Sequence, residues 1–271
     1  MIKIGTSGFT FPDWIGTAYP AGMKKTEMFS YYVNDFKFDT VELNFTYYAM
    51  PSQKTCQGLL AKAGKDFSFA VKANRGMTHD PFDPRLKKKP SVRTAAETAA
   101  KFAEGLKPLK DAGQLGCILL QFPVFFTPSP KNADFILQCK YIMKGIPLVV
   151  EFRHRAWAQA ETFDFLRSNN LGYCAVDEPK LDRLMPFIPE VTSDIGYLRF
   201  HGRNTNWFSA PLEVRYDYLY KEEELRSFIP EIKKMAAKSK TIYVYFNNCH
   251  MGAAVRNSME LKQYIGEEKS L

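Results

Sequence analysis

A chain of 271 residues, 45% hydrophobic and with a net charge of +8, is long enough for one sizeable core and for a single α/β barrel. No run of about 18 apolar residues occurs, and MIKIGTSG leads straight into a strand pattern rather than a secretion signal, so a cytoplasmic protein with no membrane partner is expected. Five scattered cysteines (Cys56, Cys117, Cys139, Cys174, Cys249) with no CxxC spacing argue against a disulfide framework or a zinc ribbon.

The first strand is predicted over 2–6, closed by Thr6 and Ser7. A helix follows over 24–36, and a second strand over 39–44 (DTVELN). The third strand is FSFAVKA, 67–73. After it comes RLKKKP (85–90), which reads as a solvated loop, with phosphate contact as the sharper alternative. An Ala-rich helix with a Ser91 cap spans 91–109, and the fourth strand is GCILLQF, 116–122. A helix over 131–145 ends in glycine, and strand five is PLVVEF, 147–152. A helix over 159–172 precedes strand six, GYCAV, 172–176. The Pro-rich stretch 177–195 lacks helix signals, so a loop is expected to replace the sixth helix. Strand seven is GYLRFHG, 196–202. The helix over 221–239, acidic at its start and basic at its end, suits the helix dipole, although Pro230 should kink or restart it. Strand eight (241–247) and a helix over 252–266 close the chain.

Eight strand–helix units without a linker or repeat predict one domain over 1–271, a TIM (β/α)8-type barrel. An open doubly wound sheet is the alternative, weakened because no GxGxxG follows the first strand.

The two-residue period sharpens this prediction. In strand five, Leu148, Val150 and Phe152 share an apolar face, whereas Val149, Glu151 and Arg153 share a face that turns charged at its end. The same pattern places Glu42 and Asn44, Lys72, Gln121, Arg199 and His201, and Asn247 at strand C-terminal ends, with Asp177 following a seventh strand. In a barrel these ends form the mouth, where active sites of this fold are built. Structural ion pairing, such as Glu42 with Arg153 or Glu151 with Arg199, is the alternative reading of any one residue. Clustering of all of them at one end favours a ligand site, because buried charge is a weak source of stability.

Seven segments carry a family resemblance: KIGTSGF (3–9), FDTVELNFTYYAMP (38–51), FAVKANRGMTH (69–79), GCILLQFP (116–123), VEFRHRAW (150–157), YLRFHGR (197–203) and YVYFNN (243–248). The chain resembles the YecE-like family, also called domain of unknown function 72. The resemblance implies the barrel and no particular activity. Phe9 stands where that family typically has Trp, and Cys249 where it often has Asp, so it lends no support to a metal or acid role at 249.

An enzyme of hydrolase, lyase or isomerase type is the leading expectation, acting as a monomer on a small anionic, phosphorylated or sugar-like ligand. Glu42 and Glu151 are the candidate general bases, and His79, His201 or Lys72 the candidate acid. Arg153, Arg199 and Arg203 offer bidentate contacts to anions, with Asp177 beside them. Asn44, Gln121, Asn247 and Asn248 can order hydroxyls, and Tyr47, Tyr48, Trp157 and Trp207 can stack. No cofactor is predicted. Three acids against three permanent cations disfavour a metal centre; the divalent-metal alternative would use Glu42, Glu151, His201 and His79. Two further alternatives are a barrel that binds or processes nucleic acid, suggested by the +8 charge, and a non-catalytic small-ligand binder.

Overall fold

A computed structural model describes residues 1–206 and 215–267. Eight strands form one parallel sheet: β1 (Ile2–Thr6), β2 (Thr40–Leu43), β3 (Ser68–Lys72), β4 (Leu115–Gln121), β5 (Leu148–Glu151), β6 (Gly172–Asp177), β7 (Ile195–Phe200) and β8 (Thr241–Phe246). Pairing runs in chain order from β2 to β8 and returns from β8 to β1, giving the expected single α/β barrel of TIM type.

The helices are α1 (Lys25–Asn34), α2 (Gln53–Leu60), α3 (Arg75–Thr78), α4 (Val92–Gly105), α5 (Lys107–Asp111), α6 (Pro130–Ile142), α7 (Ala160–Ser168), α8 (Glu222–Lys238) and α9 (Ala253–Glu267). Serine caps start three of them: Ser52, Ser91 and Ser129 accept from the amides of Thr55, Thr94 and Asn132. The helix predicted over 91–109 is divided into α4 and α5, with Pro108 in the first turn of the second piece, where its missing N–H is tolerated. Conversely, α8 runs unbroken through Pro230, its buried face of Leu225, Phe228, Ile229, Ile232 and Met235 seated on the barrel; packing outweighs the lost hydrogen bond. Residues 178–194 contain no helix, as expected for the connection after β6.

The β1–β2 seam closes differently from the others. Only a Ser7–Glu42 bridge joins these strands, where the Gly8 amide donates to the Glu42 carbonyl at 2.8 Å. Below it, the Tyr32 hydroxyl of α1 takes the place of a ladder bond, accepting from the Thr6 amide and donating to the Thr40 carbonyl, each at 3.0 Å. Gly5 makes room for this insertion, since a β-carbon there would lie 2.4 Å from the Thr40 oxygen and 2.9 Å from the Tyr32 hydroxyl. Gly5→Ala is therefore expected to part the seam and cost about 1–3 kcal/mol. Chemical denaturation checks this, and an unchanged midpoint would refute it.

The lower lumen is filled by hydroxylated aromatics. Tyr243 contacts Ser68 at 2.7 Å, Tyr245 meets Thr40, and Tyr197 packs against both tyrosines of β8. Gly116 provides the space for Tyr243, whose hydroxyl would stand 2.2 Å from a β-carbon at that position. This plug fills the N-terminal end of the lumen.

Candidate active site

Above the tyrosine layer lies a fully buried ionic lattice. The Arg199 guanidinium, on β7, spans the lumen and donates to Glu42 Oε1 at 2.8 Å and to Glu151 Oε2 at 2.7 Å. Tyr197, one turn of the pleat lower, donates its hydroxyl to Glu42 Oε2 at 2.6 Å. Arg153 Nε sits 2.6 Å from Glu151 Oε1, and its Nη1 donates to Glu178 Oε2 at 2.5 Å. Glu178 is fixed from its other side by the Met185 amide at 3.1 Å. Glu42 and Glu151 have no solvent exposure and Arg199 has 1%. Burial alone would raise the Glu151 pKa, but Arg199 and Arg153 overcome it and hold the carboxyl well below its usual range.

His79 and His201 lie beside this lattice. His201 Nε2 is 3.3 Å from Glu151 Oε1 and its Nδ1 is 2.9 Å from the Asn247 amide nitrogen. Burial, together with Arg153 and Arg199, keeps it well below the ordinary histidine range. His79 packs edge-on to Tyr47 at 4.9 Å and contacts the Thr78 hydroxyl at 3.0 Å; burial and the Lys72 charge push it down to about 3. Burial and the neighbouring positive charges thus disfavour the protonated form of both rings.

Lys72, the last residue of β3, is different. Its amine stands 4.6 Å above the Tyr47 ring and forms no hydrogen bond or ion pair with any described residue. It is partly open to solvent at the mouth. Burial, then repulsion from Arg199, pulls it down to about 7, against a smaller opposing pull from Glu151 and Glu42. Asn44, also half-buried, encloses its carbonyl oxygen without a donor among the described residues. Gln121 lines the same end at the close of β4.

Several expected ligand contacts are placed elsewhere. Asp177 and Arg203 pair with each other through two contacts of 2.8–2.9 Å, and Tyr220 and Glu224 complete that cluster against α8. They face the helix layer because the lumen phase of β6 falls on even positions: Cys174 contacts Glu151, and Glu178 supplies the carboxylate expected from Asp177. Fixing the phase of β6 on Cys174 would have pointed to Glu178. Trp157 is buried in the outer layer, stacked on Phe152 at 4.2 Å and donating its indole N–H to the Phe126 carbonyl. Asn248 is buried and ties Tyr218 to Asn257. Tyr48 is 74% exposed and leans edge-on against Tyr47. Trp207 lies outside the described residues. In the basic run, Arg85 pairs with Asp83 at 2.7 Å, and Lys87, Lys88 and Lys89 are exposed.

The ligand set of the metal alternative is not gathered. Arg199 occupies the space between Glu42 and Glu151, and among the described residues no group of three or more His, Cys, Asp or Glu side chains is arranged to hold a metal ion. A groove of about 600 Å³ lies outside the barrel, lined by Leu219, Met251, Arg256 and Met259, far from these convergent charges.

A model of the family described as "Protein of unknown function DUF72" matches residues 3–271. The chain belongs to the DUF72 family. The UPF0759 protein YunF of Bacillus subtilis (strain 168) is 29% identical over 287 residues, covering 100% of this chain and 96% of that protein. A DUF72 family structure from Thermotoga maritima MSB8 is 39% identical, covers 98% of this chain and 99% of its own, and superposes with a TM-score of 0.89. Another, from Enterococcus faecalis V583, shares the fold at 23% identity and a TM-score of 0.84, covering 98% of this chain and 96% of its own. The described residues of this DUF72 chain form one barrel, and no helix among them is long and apolar enough to cross a membrane.

Proposed function

We propose that this DUF72 barrel is an enzyme acting on a small sugar-like substrate, with the Lys72 amine transferring the proton. The observation that carries this reading is the amine itself, a lysine in the barrel mouth with no carboxylate partner, above a lattice in which every other central charge is paired. Glu42, Glu151 and Arg199 are the electrostatic floor that holds the lumen rigid and sets the field at Lys72. Asn44 and Asn247 are amide side chains suited to orient hydroxyl groups, and the Tyr47 ring is a flat wall beside the amine. An amine near 7 is half deprotonated at neutral pH, where a proton-transfer group works best.

The test is turnover of a panel of aldoses, ketoses and their phosphates, scored for isomerisation, elimination and hydrolysis. Wild-type kcat/KM is expected to rise with pH and level off above about 7, as Lys72 sheds its proton. Lys72→Met is expected to lose on the order of 10²–10⁴-fold in kcat. Turnover by Lys72→Met at the wild-type rate would remove the assignment.

A further inference from the structure

The same amine supports a covalent step. We propose that Lys72 forms a Schiff base with the carbonyl carbon of a hydroxylated aldehyde or ketone; this rests on the reading of the mouth as an enzyme site for sugar-like substrates.

Three observations support it. First, the amine is unencumbered: no described residue hydrogen-bonds or ion-pairs with it, so its lone pair has no competing partner once the proton leaves. Second, it is reachable, being partly exposed at the C-terminal end of the barrel, whereas Glu42, Glu151 and Arg199 beneath it are sealed. Third, the face of the Tyr47 ring lies 4.6 Å from the amine, and a protonated imine, more delocalised than an ammonium, is less costly to bury beside it.

The chemistry balances without an oxidant or a cofactor. The lysine nitrogen lone pair forms the C–N bond while the carbonyl π pair moves to oxygen. Proton transfer from nitrogen to oxygen gives the carbinolamine. The hydroxyl then leaves as water, taking one proton from solvent, and the nitrogen lone pair forms the C=N bond. The iminium that results draws electrons from the adjacent carbon and activates its C–H and C–C bonds. Asn44, with its unpartnered carbonyl oxygen, is placed to hold a hydroxyl of the bound substrate.

The experiment is reductive trapping of the intact protein with dihydroxyacetone and cyanoborohydride, followed by peptide mapping. Hydride addition to the iminium leaves a stable secondary amine. At pH 7 an ordinary lysine is neutral about once in several thousand molecules. Lys72 is therefore expected to be trapped about 100-fold faster than the exposed Lys87, Lys88 and Lys89. Trapping is expected to speed up between pH 6 and 8, and to be absent at position 72 in Lys72→Arg. Labelling of Lys72 no faster than of the exposed lysines overturns the covalent step. Its failure is separable from that of the proton-transfer reading: a Lys72→Met enzyme without turnover, in a protein that does not trap dihydroxyacetone, leaves proton transfer standing and removes only the imine. Because the trapping is done on wild-type protein, the result does not depend on any variant folding.

Discussion

Replacing Arg199 by methionine is expected to cost about 5 kcal/mol, the upper end of the range for breaking a buried ion pair. The side chain fits the space, but two carboxylates, Glu42 and Glu151, would then face each other in a lumen with no access to water. Tyr197 would still donate to Glu42, and Arg153 would still form an ion pair with Glu151, so each acid keeps one partner and loses its shared cation. For a domain of this size such a loss lowers the melting temperature by roughly 10–20 °C. The companion variant carrying Arg199→Met, Glu42→Gln and Glu151→Gln together is expected to recover most of the stability, because it removes the charges along with their neutraliser. Calorimetry of both proteins decides the matter. A single variant within 1 kcal/mol of wild type, or a triple variant no better than the single, would mean the lattice is not what holds the lumen. The lattice should also be acid-resistant. Glu151 is held well below its unfolded value, so its contribution is present above about pH 4.5 and is lost only as the pH falls towards its folded value.

Lys72→Met has the opposite expected sign, and the sign depends on pH. Below pH 7 both the folded and the unfolded chain carry the proton, and the folded one bears the full cost of enclosing an unpaired ammonium. Above 7 the folded amine releases its proton, while the unfolded lysine keeps its own to about 10.4. Unfolding then takes up a proton, so wild-type stability rises with pH through this window. Methionine has no such dependence. The variant is expected to be more stable than wild type at pH 6, with the gap narrowing by about 2 kcal/mol at pH 9, a figure reduced for the partial exposure of the amine. Denaturant titrations of both proteins at the two pH values measure it. A difference that does not change with pH would show that the amine is not tuned by its surroundings.

The barrel and most of its inward-facing groups are legible in the sequence because they follow from a local rule. Alternation along a strand assigns each side chain to one face, and a face that turns polar only at its C-terminal end marks the mouth. Lys72, Gln121, Glu151, Arg153, Arg199, His201 and Asn247 follow in this way from the phase of their own strands. Asp177 does not: the pattern of strand six ends at Val176 and leaves the phase beyond it unanchored, and the structure sends Asp177 to Arg203 and Tyr220 while Glu178 enters the lattice. The position of Trp157 after β5 suggests the mouth, but aromatic packing against Phe152 and Phe126 takes it into the outer layer.

Pairing is another matter. Which acid meets which base depends on depth along the barrel axis, and that depth is set by the stagger of strands around the whole circumference. No short stretch of chain contains this information. It required the closed sheet to show that Arg199 lies between Glu42 and Glu151, that Arg153 turns to Glu178, and that Tyr32 of α1 completes the seam between β1 and β2. The balance of charge in the mouth could be counted from residue types alone. That Lys72 has no carboxylate partner among the described residues follows only from the positions at which the closed barrel holds the others.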